Sequence, residues 1–150
     1  MRLMALDVGE RRIGIALSDS GILATPHSVL QRKSKAEDFA RLGRLIAELK
    51  IERVIVGLPY SLSGPEEMGP QARRVQRYAE SLAVTLSVPI EYFDERYSTV
   101  DAAASLSALG EKKVAIDAAA AAVILQNYLD SLKDNSINQG YEPGMDSDNG

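Results

Sequence analysis

The chain is 150 residues long, 45% hydrophobic and 25% charged, with no cysteine and a formal net charge of −4. That length suits one domain with a proper core, and the missing cysteine excludes disulfides and thiolate metal sites. No apolar run approaches the roughly 18 residues that span a bilayer, and no signal-peptide pattern opens the chain, so a cytoplasmic protein is expected.

Residues 3–6 and 13–17 are short apolar runs around a polar turn, and they read as a β-hairpin whose first strand is buried on both faces. Asp7 closes that strand. An ionised carboxylate there is costly unless a cation compensates, and a metal ion is the usual one. Capping of the hairpin turn is the plainer alternative. Gly9 permits either a tight turn or the close approach of a phosphate. Residues 21–30 form a third extended run, in which Pro26 cannot donate to a ladder and implies a sheet edge or a bulge. His27, the only histidine, has no second ligand nearby and is expected on that edge.

From Ser34 or Lys35 the periodicity predicts an amphipathic helix with Phe39, Leu42, Leu45, Ile46 and Leu49 inward, and Arg41, Arg44, Glu48 and Lys50 outward. Residues 52–59 then form a buried strand ending in Gly57-Leu58-Pro59. A helix followed by an apolar strand marks an α/β unit with a parallel strand, and ligands of open α/β sheets collect at the carboxyl ends of such strands. The loop over 60–70 lies at that end, as a substrate loop or an ordinary connector. A second helix is expected from about 71 to 86, with a stripe of Ala72, Val75, Ala79, Leu82 and Ala83. Arg73, Arg74 and Arg77 near its start oppose the helix macrodipole and suggest an anionic partner.

Residues 89–93 form a strand that runs into Asp94-Glu95-Arg96-Tyr97-Ser98-Thr99, a second place where a strand ends in carboxylates. An ion pair with Arg96 is the alternative use of Asp94 or Glu95. Ser98 or Thr99 would cap an alanine-rich helix over 100–109. After a basic turn at 110–113, the last helix begins near Val114, and its alanines suit close approach to a sheet. Asp117, near its start, is either a partner of the helix dipole or a metal ligand. From residue 133 a polar, acidic tail is expected to be disordered, which divides the chain into a domain at 1–132 and a tail at 133–150. That tail sets Asp134, Glu142, Asp146 and Asp148 against Lys133, so the body carries only −1 of the −4. Cations in the body cluster as Arg11/Arg12, Arg32/Lys33/Lys35, Arg73/Arg74/Arg77 and Lys112/Lys113. These are solvated surface, or phosphate contacts where they converge on one face.

In order, Leu6-Asp7-Val8-Gly9, Arg12-Ile13-Gly14 with Ser18-Asp19, Val56-Gly57-Leu58-Pro59, Gly69-Pro70-Gln71-Ala72, Asp94 to Thr99, and Asp117-Ala118-Ala119 leading to Ile124-Leu125 carry a specific resemblance. The chain resembles the YqgF-like family of pre-16S rRNA nucleases, relatives of Holliday-junction resolvases within the RNase H-like fold. The resemblance covers roughly residues 2 to 130. It implies an α/β fold with a five-stranded mixed sheet, the first three strands antiparallel, and helices on both faces. It implies Asp7, Glu95 and Asp117 as catalytic and metal-binding acids, with two Mg²⁺ or Mn²⁺ ions. Asp7 would bridge ions about 4 Å apart that clamp the attacking water and the leaving oxygen, and hard oxygen ligands suit Mg²⁺. Expected substrate contacts are Gly9, Arg11, Arg12, Gly57, Pro59, Ser61, Arg96, Ser98 and Thr99. The partner would be nucleic acid, a pre-16S rRNA precursor or a four-way DNA junction, with no membrane and a monomer or homodimer.

The chain departs from the family pattern in three places. Related resolvases carry a glutamate at the end of the fourth strand, where this chain has Gly57-Leu58-Pro59, so Glu95 must reach the same metal, with Asp94 as the alternative. Ser61 stands where the family commonly has asparagine. No histidine accompanies the acids, so the general base would be metal-bound water. Two other readings compete. An Asp-x-Gly hairpin also opens sugar kinases and actin-like ATPases, but these need a second domain and further glycine-rich loops. A non-catalytic RNA-binding assembly factor would keep the fold and cut little. The expected function is metal-dependent nuclease action in 5′-end maturation of pre-16S rRNA, with junction resolution next in line.

Overall fold

The computed structural model describes residues 1–59, 69–95 and 113–140. Its strands are β1 (Leu3–Val8), β2 (Arg12–Ser18), β3 (Thr25–Gln31), β4 (Arg53–Leu58) and β5 (Ile90–Asp94), in one sheet of order β3-β2-β1-β4-β5. The first three are antiparallel neighbours, whereas β4 runs parallel to β1 and β5 parallel to β4. This is the expected mixed sheet. β1 takes the centre because it is apolar on both sides: Met4, Leu6 and Val8 enter one core and Leu3 and Ala5 the other.

Helices α1 (Lys35–Glu48) and α2 (Pro70–Thr85) cover the first face, and α3 (Lys113–Gly140) covers the second. Ser34 caps α1 reciprocally: its Oγ accepts from the Glu37 N–H and donates to Glu37 Oε1, both at 3.1 Å. Leu42 and Ile46 are buried as the periodicity predicts, with Phe39, Leu45 and Leu49 packed at the margin. On α2 the expected stripe shifts. Ala83 is exposed and Tyr78 is buried in its stead, because Tyr78 faces α1 and meets Phe39 edge-to-face at 5.2 Å.

Pro26 stands at both features expected of it, on edge strand β3 and beside a register shift opposite Ile15 and Ala16. His27 is exposed on that strand, with Nδ1 2.8 Å from Ser28 Oγ. The inner side of α3 is built from Ala118, Ala119, Ala121 and Ala122, followed by Ile124, Leu125, Tyr128 and Leu129. α3 continues to Gly140, past the point where a disordered tail was expected to begin. The helix expected over 100–109 and residues 141–150 lie outside the described residues. Among the described residues no helix is long and apolar enough to cross a membrane.

Candidate active site

Side chains alternate along β1, so Asp7 follows Leu3 and Ala5 onto the face covered by α3. Its register partner on β2 is Gly14. On the other side, Gly57 of β4 follows Val56, the partner of Leu6. Both glycines leave space that a neighbour takes up. A Cβ on Gly14 would collide with the backbone carbonyl of Asp117. One on Gly57 would stand 2.6 Å from Ile124 Cδ1 and 2.8 Å from Glu95 Oε2. Gly14 therefore lets the first turns of α3 settle on β2 beside Asp7. Gly57 vacates the volume that the Glu95 carboxylate fills.

This geometry answers the departure noted at β4. Phe93 belongs to the core under α3, so alternation turns Asp94 away from that face. Glu95, just past β5, places its carboxylate over Gly57. The carboxylate at the end of β4 thus comes from the neighbouring strand. The missing side chain of Gly57, an expected substrate contact, makes room for Glu95.

Burial and mutual repulsion act on Asp7 and Glu95. Asp7 is pushed up to about 6, first by burial and then by repulsion from Asp117. Glu95 is pushed up to about 7 by burial, then by Asp7, then by Asp94. Two carboxyls poised near neutrality, both disfavoured as anions, form a hard-oxygen donor set that a divalent cation relieves. The cation present is Arg12, whose Nε donates to Asp117 Oδ2 at 2.6 Å. Among the described residues no three His, Asp or Glu side chains are gathered tightly enough to hold an ion as they stand. The set thus fits a divalent metal in its chemistry, and loading it requires the carboxylates to turn toward a common point.

The β1–β2 turn carries the remaining described candidates. Gly9 N–H donates to the Arg12 carbonyl at 2.9 Å, and a Cβ there would stand 2.9 Å from the same oxygen. Arg11 is exposed at the tip, and Pro59 is half-buried at the end of β4. Ser61, Arg96, Ser98 and Thr99 lie outside the described residues.

One polar group was missed in the sequence. Asp38, in the first turn of α1, is only 1% exposed. It accepts from the Lys33 N–H at 2.8 Å and from the Tyr78 hydroxyl at 3.0 Å. Burial and this bond raise the Tyr78 phenol above its ordinary value and keep it protonated. Arg32 lies 4.3 Å above the Tyr78 ring, with Nε 4.0 Å from Asp38, and donates through Nη1 to the Gly9 carbonyl at 2.7 Å. A buried knot between two helices therefore braces the turn beside Asp7. Its one sequence signal is the i, i+4, i+8 spacing of Asp38, Leu42 and Ile46, which puts an acid in an apolar stripe.

The chain is similar to known proteins. A family model described as "RuvX: Holliday junction resolvase" matches residues 1–131. A "Putative pre-16S rRNA nuclease" of Chloroflexus aurantiacus is 44% identical over 97% of this chain and 97% of its own length. Another of that name, from Thermoanaerobacter pseudethanolicus, is 44% identical over 89% of this chain and 99% of its own. Among solved structures, T. thermophilus RuvC in complex with a Holliday junction substrate superposes with a TM-score of 0.57 at 16% identity, covering 85% of this chain and 92% of that one. That likeness is one of fold.

Proposed function

This chain belongs to the RuvX Holliday junction resolvase family, and on that premise we propose that it is a divalent-metal-dependent nuclease that matures the 5′ end of pre-16S rRNA. The observation that carries the reading is the convergence of Asp7, Glu95 and Asp117 on one face of the sheet, with Asp7 and Glu95 raised to about 6 and about 7. Its RNA substrate is taken from the relatives that bear the pre-16S rRNA nuclease name.

Asp7 interacts with both other acids, so Asp7, Glu95 and Asp117 would together hold the Mg²⁺ or Mn²⁺ ions. Such ions polarise the phosphodiester and acidify the attacking water. The chain's own residues do the positioning. Gly14 and Gly57 set the distances of Asp117 and Glu95 from Asp7. Arg12 orients the Asp117 carboxylate and offers its remaining guanidinium donors to the phosphate. Exposed Gly9 lets a phosphate backbone come close to the turn, with Arg11 beside it. Arg96, Ser98, Thr99 and Ser61 are the further substrate contacts that the family resemblance implies. A ribosomal precursor places the work in the cytoplasm. A monomer suffices to trim an RNA end, whereas symmetric cutting of a junction needs a two-fold dimer.

The test is cleavage of a labelled 16S-precursor 5′-end RNA and of a four-way DNA junction, each with Mg²⁺, Mn²⁺ or EDTA. RNA cutting that needs metal and disappears in Asp7→Asn is the expected result. Junction cutting instead would move the substrate to DNA with the same acids. No cutting of either by folded protein would leave an RNA-binding assembly factor.

A further inference from the structure

The arginines that open α2 take no part in the acid site, although their charges oppose the dipole of their own helix. Arg74 and Arg77 border a cleft of about 270 Å³ on the α1/α2 side, whose lining also includes Gly9, Arg32, Lys35 and Gln71. Four cations thus face one small volume. Among the described residues a single carboxylate borders it, Glu10, which is exposed and 3.9 Å from Arg74. Arg32 is partly engaged by Asp38 and the Gly9 carbonyl. Lys35 and Arg77 have no ion pair among the described residues. α2 adds to the positive potential: Gly69 supplies no side-chain cap, Pro70 opens the first turn, and that turn holds no acid. Among the described residues nothing calls for this concentration of charge, whereas an anion would relieve it.

The position of the cleft identifies the anion. Asp7 points to one face of the sheet and Val8, which lines the cleft, to the other. Between them the chain turns at Gly9, so the β1–β2 turn is a ridge with the acids on one flank and the cations on the other. A phosphodiester chain lying across that ridge meets both. We propose that the cleft holds a second phosphate of the nucleic-acid strand, near the one brought to Asp7. The identity of the strand rests on the nuclease reading above. The contact is one that positions without reading sequence, because the only aromatic ring in the lining among the described residues, Tyr78, is covered by Arg32.

The experiment uses the full chain in EDTA, where metal-dependent cutting is absent. Binding of a fluorescent single-stranded RNA from the 16S-precursor 5′ end is followed as salt is raised. The probe variant is Lys35→Gln with Arg77→Gln, two exposed side chains whose loss should leave the thermal midpoint unchanged. The control is Arg44→Gln with Lys50→Gln, which removes equal charge toward the far end of α1. The expected result is about tenfold weaker binding by the probe variant, with the slope of log K against log salt reduced by about 0.7, the value for one single-strand phosphate. The control should match the unmodified protein.

If the probe variant kept full affinity and slope, the cleft contact would be overturned while the nuclease reading stood. An unmodified protein that bound no strand would overturn both. Inorganic phosphate and adenosine monophosphate are titrated in parallel. Tight binding of either that is lost in the probe variant, with strand affinity unaltered, would make the cleft a site for a free anion and overturn the strand contact.

Discussion

The two faces of the sheet are packed by different means. On the α1/α2 side, Met4, Leu6, Ile13, Ile15, Val54 and Val56 meet Leu42, Ile46, Val75 and Leu82, all buried. On the α3 side, Leu3, Ala5, Ala16 and Ile55 meet a helix whose first inner turns are alanine. Large side chains hold a helix away from a sheet, and each such residue stabilises the fold by about 1.5–3 kcal/mol on burial. Alanines opposite Gly14 do the reverse and bring backbone against backbone. The first face supplies stability. The second face supplies a place where carboxylates are pressed together and dehydrated, which stability alone would disfavour.

The largest test of this contrast is Gly14→Ala. A single methyl there would strike the Asp117 carbonyl, so α3 must lift. We expect a loss of about 3 kcal/mol or more in urea denaturation, together with loss of cleavage. An unchanged unfolding midpoint would remove the close approach as the basis of the site. On the opposite face the sensitive element is polar. Asp38→Ala strands the Tyr78 hydroxyl and the Lys33 N–H, and about 2 kcal/mol should go with them. Tyr78→Phe leaves the apolar packing in place and should lose about half of that.

A substitution at the acids should act with the opposite sign. Asp7 titrates at about 6 when folded, above its ordinary 3.8, so the folded chain binds more protons than the unfolded one. Stability therefore falls as pH rises between those values. Glu95, raised from 4.5 to about 7, adds to the fall over its own window. Asp7→Asn should abolish metal-dependent cleavage, yet in EDTA it should stabilise the protein by about 2 kcal/mol at pH 8, and the gain should fade by pH 4. Chemical denaturation at the two pH values checks this, and a destabilised variant at pH 8 would contradict the dehydration of Asp7. The smallest effect is expected at Gly43, in the middle of α1, where a Cβ meets nothing within 4 Å. Gly43→Ala should add about 0.5–1 kcal/mol, and the same change of residue then reads with opposite signs on the two faces.

Much of this was legible because it is local. Alternation along residues 3–8, the i, i+3, i+4 stripes of α1 and α2, the Ser34 cap and the edge-strand proline each depend on neighbours a few positions away. Asp7 and Asp117 were conspicuous because each is an acid within an otherwise apolar segment. The ordered motifs then tied them to one fold. Other features depended on which elements the sheet places side by side. Arg12 and Asp117, 105 positions apart, meet because β2 and α3 cross at Gly14. Glu95 rather than Asp94 joins Asp7 because Gly57 lies between their strands. Asp38 is buried because α2 lays Tyr78 across it, 40 positions on, and the cations of two helices share a cleft because both helices begin beside one turn. The sequence by itself determined the strands, the helices and the acids, through periodicity and the cost of burying charge. Only the tertiary structure decided which acids face one another and where the unpaired cations gather, because those outcomes depend on register and crossing, which no local pattern encodes.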